Sequence, residues 1–248
     1  MSLYSKLHHS ITSYYATIKA QYSAKYVREA FIGMLLLVCM VGGYFLNKFY
    51  VQYREQQAFV ALSEVIDSFM QSQQQVQALD QQKDKEKIDQ AWSDTQILVD
   101  ALYKEHISSY LAPYFLVFKS QIVLERDHDL DNAIKILDDA LVNISKNTEL
   151  GSLYHMKRIK MGFDSKNQDV KDKALADLIS FSQDPKSYAY QEALYLLGVY
   201  YLSINDQTNA QESFQKLVDS SDKTALLKSP WVILAEEKLG LVPKTDAE

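Results

Sequence analysis

Residues Ala30 to Leu46, AFIGMLLLVCMVGGYFL, run for seventeen positions without a charged side chain. As a helix rising about 1.5 Å per residue, this stretch covers about 25 Å, and continuing it to Tyr50 reaches the ~30 Å of a bilayer's hydrocarbon core. A core helix of a soluble domain normally keeps a polar stripe, and none exists here. The expectation is a transmembrane helix over 30–50, with Lys48 snorkelling to the interface. Twenty-nine residues precede the run and no A-x-A site follows it, which fits a cleaved signal peptide poorly. Val38 before Cys39 likewise fails the small-residue requirement of a lipoprotein signal. Cys39 reads as a small packing or lipid-facing residue, and Cys39-x-x-x-Gly43 as a spacing that permits close helix contact.

Charge sets the expected orientation. Residues 1–29 carry Lys6, Lys19, Lys25 and Arg28 against Glu29, while Lys48 and Arg54 beyond the run face Glu55 and Glu64. The positive-inside rule then puts the N-terminus in the cytoplasm and the C-terminal part across the membrane. The overall formal charge is −6, so the part beyond Lys48 carries about −10. Such an acidic balance argues against a nucleic-acid partner. Within the basic arm, 1–29, Leu3, Leu7, Ile11, Tyr14, Tyr15, Ile18, Tyr22 and Tyr26 recur at three- and four-residue steps. That spacing predicts an amphipathic helix suited to a membrane surface, where phenol rings sit at head-group depth. A solvated cytosolic tail is the alternative. The scarcity of acids in the arm is also similar to a mitochondrial presequence, though arginine is nearly missing from it.

Seven glycines and four prolines among 248 residues leave few places for hairpin turns or phosphate-binding loops, so the remainder reads as all-α. A single cysteine excludes an internal disulfide and a cysteine-based zinc cage. Ala58, Leu62, Val65, Ile66 and Phe69 continue at helical spacing beyond the span. The Gln71–Gln82 run and the charges KDKEK after it read as a frayed helix end and a solvated turn. A second helix is expected from Glu86 to Lys104, with Ile88, Ala91, Trp92, Ile97, Leu98 and Ala101 on one face.

The stretch ALYLLGVYYLSINDQTNAQESFQKLVD, Ala193 to Asp219, carries a repeat pattern. Counted as a 34-residue helix–turn–helix unit, it places Leu197 and Gly198 at the seventh and eighth positions, Tyr201 at the eleventh, Ala210 at the twentieth and Phe214 at the twenty-fourth. It resembles a tetratricopeptide repeat. Gly198 and Ala210 are small where two helices of one hairpin meet, while Tyr201 and Phe214 fill the space between hairpins. Leu217 departs from the usual small residue, and no proline follows at the thirty-second position. Weaker copies precede it: Leu130, Ala133, Leu137 and Ala140 within 114–143, then Ala174, Leu178 and Phe181 within 150–181 after a longer turn at Ser165 to Gln168. Ala91, Ala133, Ala174 and Ala210 are 42, 41 and 36 residues apart, the drifting period of a diverged α-α solenoid. Pro230 opens a last helix, Trp231 to Leu239, expected to cap the stack. The expected helical domain is 51–242, with a disordered tail over 243–248.

A basic arm, a single span and tetratricopeptide-like hairpins together resemble the ancillary SecYEG translocon subunit family, the YfgM-like tetratricopeptide proteins. The shared features are the span at Ala30–Leu46, the helix continuing through Ala58 and Phe69, Asp-Leu-Asp-Asn-Ala at 129–133, Leu197-Gly198, and KSPWVILAEEKLGLV from Lys228. The resemblance implies a bacterial inner-membrane protein with a periplasmic adaptor domain that contacts the translocon, periplasmic chaperones or exported polypeptides.

Chemistry is not expected. Asp127, Asp129 and Asp131 with Asp138 are reminiscent of a calcium loop, but Asn132 stands where glycine is needed and the bidentate glutamate is missing. Turn and N-cap duty is the expected role. His8, His9, His106, His128 and His155 show no metal spacing, and no G-x-S-x-G or Walker-type sequence occurs. No cofactor or metal is expected, and the chain reads as a non-catalytic binding protein. Seventeen tyrosines remain. Tyr110, Tyr114, Tyr188, Tyr190, Tyr195 and Tyr200 fall near the first helices of hairpins, and Tyr114, Tyr188, Tyr195 and Tyr200 are the candidate partner groove; ordinary inter-hairpin contact is the alternative role. The competing functions are a structural scaffold for envelope assembly or division and a mitochondrial inner-membrane assembly factor.

Overall fold

The computed structural model describes residues 3–79, 84–221 and 228–241, with side chains described from residue 13 onward except at 22, 24, 25, 27 and 30. The expected tail, 243–248, falls outside the described residues, as do the side chains of the arm positions Leu3, Leu7, Ile11 and Tyr22 and of Ala30. Among the described residues every regular element is helical. They are α1 (Leu3–Gln77), α2 (Lys85–Glu105), α3 (Ala112–Asp127), α4 (Leu130–Leu141), α5 (Glu149–Asp164), α6 (Gln168–Gln183), α7 (Tyr190–Ser203), α8 (Gln207–Asp219) and α9 (Pro230–Lys238). The chain divides into two compact units, Met1–Gln57 and Ala58–Glu248.

In the first unit, every side chain from Phe31 to Tyr50 is exposed. Leu35, Leu36 and Leu37 each show more than half of their surface. Leaving such residues in water costs on the order of 1.5–3 kcal/mol apiece, so a run of them calls for an apolar surrounding. The helix is long and apolar enough to cross a membrane.

Among the described residues the second unit has no single core. Four apolar clusters of these residues each join three consecutive helices, and each shares a helix with the next. Val65, Trp92, Val99, Phe115 and Ile122 join α1, α2 and α3. Val123, Leu137 and Met161 join α3, α4 and α5. Met156, Leu178 and Ala193 join α5, α6 and α7. Leu194, Phe214 and Val232 join α7, α8 and α9. Helices such as α3 and α7 are apolar nearly all round because both sides are covered. The cluster of α1, α2 and α3 corrects the expected face of α2: Thr95 and Val99 are buried, whereas Ile97 is 66 % exposed and Ala101 is exposed. The buried stripe follows steps of four from Ala91, and Ile97 and Ala101 lie off it. Ile66 is likewise exposed while Ala61 is buried. Within the glutamine run the helix persists to Gln77, because Ser72 is buried and donates to the Ala91 carbonyl at 3.2 Å.

Short turns join the hairpins. His128 and Asn205 both adopt positive φ, 52° and 60°, and each is followed by an aspartate N-cap. Asp129 accepts from the Asn132 amide at 3.1 Å, and Asp206 accepts from the Asn209 amide at 3.1 Å. The turn before α6 is not lengthened as expected. Asn167 caps α6 by accepting from the Asp169 amide at 2.9 Å, and the extra residues lie inside α6 itself, so Ala174 sits one turn deeper than Ala133 or Ala210.

Candidate protein-binding face

Each hairpin brings two helices to a close crossing, and the crossings set where the remaining side chains point. Gly198 of α7 lies beneath Phe214 of α8; a Cβ there would come 2.5 Å from the ring. Gly162 of α5 faces Ala174 of α6, where a Cβ would meet the alanine methyl at 2.7 Å. In α3 the small residue is Ser120, whose hydroxyl donates to the Ala133 carbonyl at 2.7 Å. Ser72 makes the same contact to Ala91 between α1 and α2. The alanines were legible in the sequence; their partners Ser72, Ser120 and Gly162 were not, although they recur at 48, 42 and then 36 residues to Gly198. Ala133, Ala140, Ala174 and Ala210 are fully buried, and Leu197 is buried. Tyr201 packs partly buried against both the α5–α6–α7 and the α7–α8–α9 clusters, whereas Phe214 belongs to the latter alone.

A buried cation holds the middle of the domain. Arg158 of α5, 4 % exposed at its side chain, donates through Nε and Nη2 to Asp138 of α4 at 2.8 and 3.0 Å. Lys173 of α6 adds a contact at 3.3 Å. Burial raises the Asp138 carboxyl, but Arg158 and Lys173 outweigh it and hold the group below the usual carboxylate value. Asp131 accepts from the buried Ser165 hydroxyl at 2.8 Å, and Asp127 pairs with Arg126 at 2.6 Å. These aspartates therefore serve caps, turns and ion pairs. Among the described residues no group of three or more His, Cys, Asp or Glu side chains could hold a metal.

Lys119 of α3 bonds Asp100 of α2 at 2.7 Å and so joins the second helix of one hairpin to the first helix of the next. With α4, α6 and α8 contacting α3, α5 and α7, further cross-links run between the first helices themselves. Lys157 of α5 donates to Gln121 of α3, and Lys160 of α5 pairs with Glu192 of α7. Tyr114 of α3 meets Tyr154 of α5 edge-on, with ring centroids 6.1 Å apart. Burial, with a smaller effect of Tyr114, raises the Tyr154 hydroxyl; burial lowers the Lys157 ammonium, with Glu125 pulling back. One polar and aromatic face thus runs across α3, α5 and α7.

The four candidate groove tyrosines do not form one patch. Tyr195 stacks obliquely on Phe214 and Trp231, toward α8 and α9. Tyr200 packs on Phe163 and Tyr201, and Tyr114 on Tyr154. These three rings tie neighbouring helices together. Tyr188 is 66 % exposed in the loop before α7, where it borders a cleft with Leu150, Leu153 and Glu192. A second cleft, of about 600 Å³, lies between the α2–α3 loop, with Ile107 and Tyr110, and Asp139 and Asn143. Sequence reasoning missed Arg158, Gln121, Lys157, Lys160 and Glu192, since isolated charged residues on helices carry no local mark of their partners. Compared with known proteins, the chain matches no family model, no curated protein and no solved structure.

Proposed function

We propose that the protein is a membrane-tethered, non-catalytic adaptor whose second unit is a tetratricopeptide-like α-α solenoid that binds protein partners. The observation that carries this reading is the serial core. Each cluster is shared between neighbouring helices, which is how repeat architectures bury apolar surface, and one face of α3, α5 and α7 is left for a partner. The rungs Gln121–Lys157 and Lys160–Glu192, with the Tyr114–Tyr154 pair one turn before them on α5, offer hydrogen-bonding groups and flat aromatic surface to an extended peptide or a partner helix. Phe31–Tyr50 supplies the tether, and tethering raises the effective concentration of a weak binder. The basic flank of the span favours a cytoplasmic N-terminus with the second unit on the other side, the periplasm in a bacterial inner membrane. Components of the SecYEG translocon, periplasmic chaperones and exported polypeptides are the partners this arrangement suits.

The test is site-specific photocrosslinking in the intact cell from Lys160 and Val199, both exposed on this face, with Asp131 as a control. Adducts with a translocon subunit or a periplasmic chaperone from Lys160 and Val199 alone are expected. Equal yields from all three positions would overturn the binding-face reading. Protease digestion of the second unit in spheroplasts checks the orientation independently.

A further inference from the structure

On α5 the residues Ser152, Met156 and Ile159 are buried, while Leu150, Leu153, Lys157 and Lys160 follow one another at steps of three and four on another face. Leu150 and Leu153 are 45 % and 56 % exposed. Together with Glu149, Ser152, Tyr188, Ala189 and Glu192 they line a cleft of about 390 Å³. The cleft lies between the first turns of α5 and the start of α7. An apolar surface left open to water and rimmed by polar groups marks a place where another molecule binds.

Both rims are fixed by the fold. A Cβ on Gly151 would come 1.9 Å from the Ser145 carbonyl oxygen, and Thr148 Oγ1 accepts from the Gly151 amide at 3.1 Å, so the start of α5 is pressed against the loop before it. On the other side, the Ser187 carbonyl accepts from the Tyr190 amide at 3.1 Å and its hydroxyl accepts from the Ala189 amide at 3.2 Å. Walls held in this way lose little freedom when a ligand enters.

The polar groups of the cleft are of one sign. The Ser152 hydroxyl is committed to the Glu149 carbonyl, to which it donates at 2.9 Å, and the Glu192 carboxylate is held by Lys160. Glu149 is exposed, and among the described residues no lysine, arginine or histidine lines the cleft; Lys146 and Lys186 stand in the adjoining loops. The volume admits an aliphatic or aromatic side chain, and a carboxylate at its edge favours a cation beside that side chain and repels an anion.

We propose that this cleft takes a leucine- or phenylalanine-sized side chain from a polypeptide segment that carries lysine or arginine next to it, with Glu149 pairing the cation. This rests on the reading of the α3, α5 and α7 face as the partner-binding surface, and it names the kind of segment that surface selects.

The test uses the full chain in phosphatidylcholine nanodiscs and fluorescence anisotropy of labelled octapeptides. The probes are Gly-Ser-Lys-Leu-Phe-Lys-Ser-Gly, its counterpart with both lysines changed to glutamate, and its counterpart with leucine and phenylalanine changed to serine. The first should bind about tenfold more tightly than either of the others. Leu153→Ser should weaken it several-fold, and Glu149→Lys should reverse the order of the lysine and glutamate peptides. Val199→Ser, on the same face outside the cleft, should change neither. All three side chains are exposed, so their replacement leaves the helices standing. Equal binding of the lysine and glutamate peptides, or binding of none, would overturn the proposal, while photocrosslinking from Lys160 and Val199 still decides the binding face. A loss in Val199→Ser with none in Leu153→Ser would put the segment elsewhere on that face and overturn the cleft alone. Release of the peptide as the chain self-associates would show a second copy in the cleft and overturn it as well.

Discussion

The α5–α6 and α7–α8 hairpins both place a glycine where two helices cross, yet they fill the crossing differently. Over Gly198 lies the Phe214 ring, 1 % exposed and enclosed by Tyr190, Leu194 and Val232. Over Gly162 lie the Ala174 methyl and the Val170 carbonyl, and the volume beside them holds the Arg158 guanidinium on its way to Asp138. One crossing is closed by apolar volume and the other by a paired charge. The first should be indifferent to pH and sensitive to lost volume; the second should respond to titration and to any change that separates its helices.

The largest effect is expected from emptying the apolar crossing. Phe214→Ala removes a fully enclosed ring and should destabilise the domain by about 4 kcal/mol, read by denaturant unfolding of the detergent-solubilised chain. A loss near 1 kcal/mol would mean that α9 collapses into the space. Asp138→Asn strands a buried guanidinium and should cost about 3 kcal/mol at neutral pH. Asp138 titrates below its unfolded value, so its contribution is complete above the ordinary carboxylate pKa of about 4 and fades as pH falls through the depressed folded value. The gap between wild type and Asp138→Asn should therefore close in acid, while the deficit of Phe214→Ala should not. A gap that persists below that range would make the pair electrostatically idle.

Adding a methyl at each crossing sharpens the contrast. Gly162→Ala sets two backbone-anchored carbons 2.7 Å apart, so α5 and α6 must separate, the Lys173–Asp138 contact is stretched, and the new methyl crowds Arg158 Nη1 at 3.2 Å. The net cost should be about 2 kcal/mol after a helix-propensity gain of about 1 kcal/mol. At Gly198 the obstacle is a ring that can tilt, and Gly198→Ala should cost about 1 kcal/mol. Hydrogen exchange of α5 and α6 against α7 and α8 would show whether each loss stays in its own hairpin.

These contrasts also mark what could be read from the sequence. Glycine scarcity and the spacing of Ala133, Ala174 and Ala210 give helices that meet their neighbours, because a small residue at a crossing is a local, recurring need. The face of α2 differs from its apolar pattern because Ile97 lies two residues from both Thr95 and Val99, on the opposite side of the helix, and a single exposed isoleucine costs too little to be selected against. Arg158 and Asp138 are twenty residues apart and look like any solvated pair on a helical surface. Only the approach of α4, α5 and α6 makes them partners. The groove tyrosines show the same limit: phenol rings suit a ligand and a neighbouring helix equally, and Tyr114, Tyr195 and Tyr200 found helices.

The smallest expected effect concerns the turns that close the hairpins. α3–α4 and α7–α8 both place a non-glycine residue in the left-handed region, His128 at φ 52° and Asn205 at φ 60°, before an aspartate cap. Asparagine tolerates this conformation because its short side chain can bond locally, whereas histidine gains less from it. Glycine removes the Cβ strain at both positions but adds backbone freedom to the unfolded chain. His128→Gly should therefore stabilise by about 0.5–1 kcal/mol, and Asn205→Gly by a few tenths at most. Equal gains would show that the turn geometry, not the residue in it, sets the strain. Destabilisation at His128 would show that its ring contributes to the turn by contacts of its own, and the two hairpins would then differ at their turns as well as at their crossings.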